Sequence, residues 1–226
     1  MGTMPIPKLL LTMSGPMMIS MFIQALYNVV DSMFVSYISE AALTAVSLAY
    51  PMQNLMIAVA TGTGVGVNAL LSRNLGEKNY SMANRVAGNA IFLGLVSYVV
   101  FALLGLLGSR FYFSVQVEDP NIIALGHDYL SIVTVLSIGC FGQVLLSRLL
   151  QSTGKTFYSM VIQMVGAGLN LVLDPIMIFG LLGFPKMGVA GAALATVISQ
   201  LAGTALGVYY NLRKNPEIQF SLSTLR

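Results

Sequence analysis

Asn170 and Asp174 stand four residues apart, on one face of a helix, inside the run GAGLNLVLDPIMIFGLLG. Asp174 is the one charge between Tyr158 and Phe184. A carboxylate within an apolar stretch of that length is costly, and such residues mark ion or proton sites. Pro175 follows Asp174 directly. Proline disfavours regular helix and leaves a carbonyl without its helical donor, which adds an oxygen ligand to the acid and the amide. A second carboxylate, Asp31, stands in another apolar run, four residues after Tyr27. Neither acid has a basic residue at its own depth, so each must take up a proton or a cation. Sodium would require about five or six converging oxygens. Asp31, Asn170, Asp174, Thr196 and a carbonyl near Pro175 could supply them, and a proton would need fewer.

The elements that would position these groups are membrane spans. Six are expected, over about 9–38, 43–71, 86–109, 129–149, 158–184 and 189–212. The first is too long for a straight perpendicular crossing, and Pro16 offers a bend. With a cytoplasmic N-terminus, nine of the eleven basic residues fall inside, and only Arg110 and Lys186 fall outside. Both termini are then cytoplasmic, with residues 213–226 as a cytoplasmic tail or the start of a linker.

At about 1.5 Å per residue, this topology places Asp31 roughly 10 Å and Asp174 roughly 15 Å below the outer ends of their spans. Gln53 and Asn54 come out at about 14 Å and Thr196 at about 11 Å. Four spans thus carry polar groups in one layer of the outer half. Taken singly, Gln53, Asn54, Gln143 and Gln163 read equally as bridges between helices. Gln24, Gln53, Asn54 and Gln143 are the candidates to line a substrate cavity. No arginine is expected at mid-membrane.

Composition excludes other classes. Of 226 residues, 56% are hydrophobic and 8% charged, against about a quarter charged in soluble domains. The chain is therefore expected to be an all-α, multi-pass protein of the plasma or inner membrane, with the lipid bilayer as its surroundings and no nucleic-acid partner. A single cysteine, Cys140, forms no disulfide framework, and reads as a small buried hydrophobe. The lone His127 has no metal-type neighbour at helical spacing and reads as an interfacial residue. No nucleophile–base pair or zinc-type spacing is visible, so neither an enzyme nor a bound cofactor is expected. The pairs Gly62/Gly66 and Gly203/Gly207 fit close helix approach or, alternatively, hinges.

The stretches QALYNVVDSMFVSYISEAALTAVSLAYPMQNL, ATGTGVGVNALLSRNLGEKN, LLQSTGKTFYSMVIQ, LNLVLDPIMIFG and MGVAGAALATVISQ, in this order, resemble the first half of a MATE (multidrug and toxic compound extrusion) transporter. The resemblance covers nearly the whole chain and is nearest to the MepA-like and DinF-like branches. It implies a six-helix N-terminal lobe, one arm of a V of two lobes around a central cavity. It also implies export of bulky, often cationic, drug-like organic compounds against a proton or sodium gradient. The family's first-lobe cation site then maps onto Asp31, Asn170, Asp174 and Thr196, with Tyr27 beside it. Sodium, if it is the coupling ion, would bind at those four residues, and Pro16 and Pro175 would serve as hinges. Such a family member has about twelve spans, so a second six-helix lobe, from the same gene or a dimer partner, is an implied partner. Alternatives are a lipid-linked precursor flippase of the wider superfamily, a cation channel subunit, and a non-transporting scaffold lobe.

Overall fold

The computed structural model describes residues 5–218, and among these residues the regular structure is helical throughout. The seven α-helices are α1 (Ile6–Ser36), α2 (Glu40–Gly76), α3 (Tyr80–Gln116), α4 (Pro120–Val135), α5 (Ile138–Ser152), α6 (Thr156–Phe179) and α7 (Gly188–Lys214). Five are long and apolar enough to cross a membrane by themselves, and α4 with α5 makes a sixth crossing bent by 44°. This is the six-helix lobe expected from the hydropathy.

Local chemistry sets the ends of these helices. Ser39 and Asn79 cap α2 and α3, accepting hydrogen bonds from the Ala42 and Met82 amides at 3.0 and 3.1 Å. Asp119 caps α4, with Pro120 in the first turn. Gly154 (φ 78°) turns the chain between α5 and α6, and Gly180 (φ 74°) ends α6 in the left-handed conformation.

The fourth crossing is longer than the expected 129–149 and is broken. It runs from Pro120 to Ser152 and bends between α4 and α5, where Leu136 (φ −100°, ψ 20°) leaves helical geometry. Beyond the bend, a side chain at Gly139 would meet the Leu201 backbone nitrogen at 3.0 Å, so the bend seats α5 directly on α7. The segment around 110–128, expected as a polar connection, is mostly helix. Buried Phe113 of α3 and Tyr129 of α4 continue the apolar packing on either side of a short link.

Packing depends on small residues, as it must where lipid removes the hydrophobic drive between helices. A Cβ at Gly191 would lie 2.5 Å from the Met177 carbonyl oxygen, so α6 and α7 meet backbone to backbone. Gly203 and Gly207 accommodate Gln143 and Leu146 of α5 in the same way. Gly62 and Gly66 face open space, and the glycine between them, Gly64, makes the close approach instead. By contrast α1 is peripheral, with only Ser20 and Val35 fully buried.

Pro16 and Pro175 each stand inside a continuous helix. The interruption expected at Pro175 is absent, because one missing amide removes a single bond of the ladder while packing of α6 on α7 holds the rest. Past α7, residues 215–218 fold back, and Ile218 packs with Val67, Leu71 and Ala83. Of the expected tail, residues 219–226 lie outside the described residues.

Candidate functional site

Asp31, Tyr27, Asn170, Asp174 and Thr196 converge between α1, α6 and α7. Asn170 and Asp174 are 2% and 1% exposed, and Thr196 3%. Their helical spacing puts both α6 groups on the face that packs against α7. Asn170 donates to Asp174 Oδ1 and to Thr196 Oγ1, each at 3.3 Å. With its amide turned over, Asn170 donates to Asp174 Oδ2 at 2.8 Å and accepts from the Thr196 amide at 3.2 Å, which satisfies both ends better. Tyr27 and Asp31, one turn apart on α1, stand against these α6 and α7 groups, and the two acids are close enough to feel each other's charge. Phe34 and Phe179, edge to face with centroids 6.5 Å apart, pack α1 onto α6 just beyond the two acids.

One atom in this cluster lacks a partner. Asp31 Oδ1 is buried and accepts no hydrogen bond. Two adjoining carboxyls cannot both stay ionised in a dry lobe without a cation or a shared proton between them. The donor set is hard: carboxylate, amide and hydroxyl oxygens. It suits a proton or a small oxygen-loving cation. No group of three or more His, Cys, Asp or Glu side chains gathers among the described residues, which sets this cluster apart from a transition-metal centre.

Beside the cluster opens a cavity of about 430 Å³, and Tyr27, Asn170 and Thr196 form part of its wall. Gln24 and Gln143 line it, as does Cys140, which is otherwise buried. Gln53 is elsewhere: its amide donates to Tyr129 Oη at 3.2 Å, bridging α2 and α4. Asn54 is exposed and outside the cavity wall. His127 pairs through Nδ1 with the buried Ser109 hydroxyl at 2.6 Å.

The far end of the cavity holds what sequence reasoning overlooked. Arg148, assigned from topology to the inner boundary, lines the cavity together with Gln151 and Ser147. Its Nη1 donates to Gln151 Oε1 at 2.9 Å, and Gln151 in turn donates to Ser159 Oγ of α6 at 2.8 Å. A signal was present. Gln143, Ser147 and Gln151 recur every fourth residue and draw a polar stripe along an otherwise apolar helix.

Comparison with known proteins bears on the family and the fold. Residues 16–176 match the MatE family model. The FAD transporter of Shewanella oneidensis is 32% identical over 93% of this chain and 47% of its own length. Multidrug export protein MepA of Staphylococcus aureus is 26% identical over 96% and 48%. Among solved structures, a MATE crystallised in complex with MaL6 superposes with a TM-score of 0.91 at 29% identity, over 97% of this chain and 48% of that one. An outward-facing multidrug resistance MATE family transporter of the MOP superfamily gives 0.89 at 29% identity, over 97% and 48%. The chain spans about half the length of the curated relatives it matches, and by the extent of the family match it belongs to the MatE family.

Proposed function

We propose that this chain is the N-terminal lobe of a cation-coupled antiporter that exports organic, drug-like compounds across the plasma or inner membrane. The observation that carries the reading is the pairing of buried Asp174 with half-buried Asp31, whose Oδ1 is unpartnered, beside the wall of the cavity. Relatives named for FAD transport and multidrug export support an organic substrate.

The coupling follows from electrostatics. A proton or sodium ion entering between Asp31 and Asp174 neutralises the pair, and its departure restores a repulsion that the lobe must relieve. The element suited to respond is α1, which has the fewest buried side chains of the long helices and carries Pro16. Movement of α1 carries Met17, Ser20 and Gln24 with it, and these residues form one side of the cavity. Ion and organic compound then alternate because both act on the position of the same helix.

The test is efflux from vesicles under imposed pH or sodium gradients. Asp31→Asn and Asp174→Asn should each abolish gradient-driven efflux, and undiminished efflux by both variants would sink the reading. A second six-helix lobe is part of the proposal. The 226-residue chain reconstituted as a monomer should give no efflux, and active single copies in nanodiscs would remove the need for that partner.

A further inference from the structure

We infer that the Arg148 end of the cavity is an oxyanion subsite, so that the compounds this lobe accepts carry a carboxylate or phosphate group. The inference rests on the reading of the cavity as a substrate site and adds the sign of the charge that it selects.

Among the side chains that form the cavity wall, Arg148 is the one that is charged. Asp31 and Asp174 are not part of that wall, which Tyr27, Asn170 and Thr196 form on their side. The one full charge that this wall presents to its contents is a guanidinium, which attracts an anion and opposes a cation. The guanidinium has no acidic partner either. Among the described residues the one ion pair joins Arg73 to Glu77 on the surface.

The arginine is also held in place. A Cβ on Gly64 would lie 2.8 Å from Arg148 Cγ, so the missing side chain at Gly64 is what lets the Arg148 stem lie along α2. Gln151 holds Nη1, and Ser159 holds Gln151. Gln151 and Ser159 are 6% and 1% exposed, so the support is buried. Arginine has five N–H donors, and this arrangement engages one of them. A planar fork fixed at one corner can present its remaining donors to two oxygens of a carboxylate or phosphate. Gln143, Gln163 and Gln200 on the same wall can hydrogen-bond the neutral polar parts of such a compound.

The experiment is equilibrium binding to the purified protein in nanodiscs, with three fluorescent probes: fluorescein for the carboxylate, FMN for the phosphate, and ethidium as an organic cation. Arg148→Gln should weaken at least one of the two anions by about tenfold or more, the scale of one charge-assisted pair. Ethidium affinity should hold or rise, and Arg148→Lys should recover part of the loss. Retained ethidium binding shows that the variant is folded. Unchanged anion affinities in Arg148→Gln would overturn the inference, as would an equal loss of ethidium. If the unmodified protein binds ethidium but neither anion, the subsite is wrong and the transport reading survives. If it binds none of the three, the cavity reading fails and takes the subsite with it.

Discussion

The lobe keeps its two kinds of charge at opposite ends. The acid pair lies near the C-terminal ends of α1 and α6, packed under Phe34 and Phe179. Arg148 lies one turn from the C-terminal end of α5, at the other side of the bundle, with its head in a cavity. The acids are crowded together and lack a counter-charge, so their state depends on what enters. Arg148 is braced by neutral amide and hydroxyl groups, so it is charged and oriented before anything arrives. The first arrangement suits an ion that must come and go, and the second suits recognition of a fixed group. Had the arginine stood beside the acids, a permanent buried salt bridge would have silenced both.

Breaking the acid end should have the largest effect. Asn170→Ala removes one of about five or six oxygens a sodium ion would need, and should cut sodium-driven efflux by about 10- to 100-fold, the scale of a hydrogen bond to a charged group. A proton needs no such shell, so proton-driven efflux should fall by less than about tenfold. Measuring the variant under each gradient therefore identifies the ion. Intact efflux under both gradients would detach Asn170 from the coupling.

A middle-sized effect is expected at the seam that brings Thr196 to Asn170. Gly191→Ala places a methyl group against the Met177 carbonyl, and α7 must move away from α6. Overpacking of this kind costs about 1–3 kcal/mol. The variant should melt earlier in detergent and lose part of its coupling. A variant as stable and active as the original would show that the α6–α7 spacing is not what holds the site.

The smallest expected signal concerns which end faces out. The distribution of basic residues leads us to expect the α2–α3 turn, with Lys78, in the cytoplasm. With Cys140, the single cysteine of the sequence, replaced by alanine, a cysteine introduced at Lys78 would be the one thiol. An impermeant reagent applied to intact cells should leave it unlabelled. Labelling from outside would reverse the lobe and put Arg148 at the extracellular end.

Much of the site was legible because its chemistry is local or one-dimensional. Spans follow from runs of apolar residues, and the Asn170–Asp174 spacing puts both groups on one face whatever surrounds them. The rarity of charge in such runs singled out Asp31 and Asp174. Gln53 and Gln143 were both candidates to line the cavity, yet one is engaged by Tyr129 and the other opens onto the cavity. Rotation of a helix about its axis is fixed by packing with its neighbours, and depth carries no information about it.

Arg148 shows the same limit more sharply. By position it belonged with the basic residues at a membrane boundary, where long side chains reach for water. Sequence alone determined the membrane class, the number of crossings, the acids and the four-residue stripe on α5, and it missed the length and the break of the fourth crossing. Only the tertiary structure decided that Gly64 of α2 leaves room beside that stripe, so that the arginine turns inward. Residues 64 and 148 meet because two helices pack, and their contact is encoded in no local pattern of the chain.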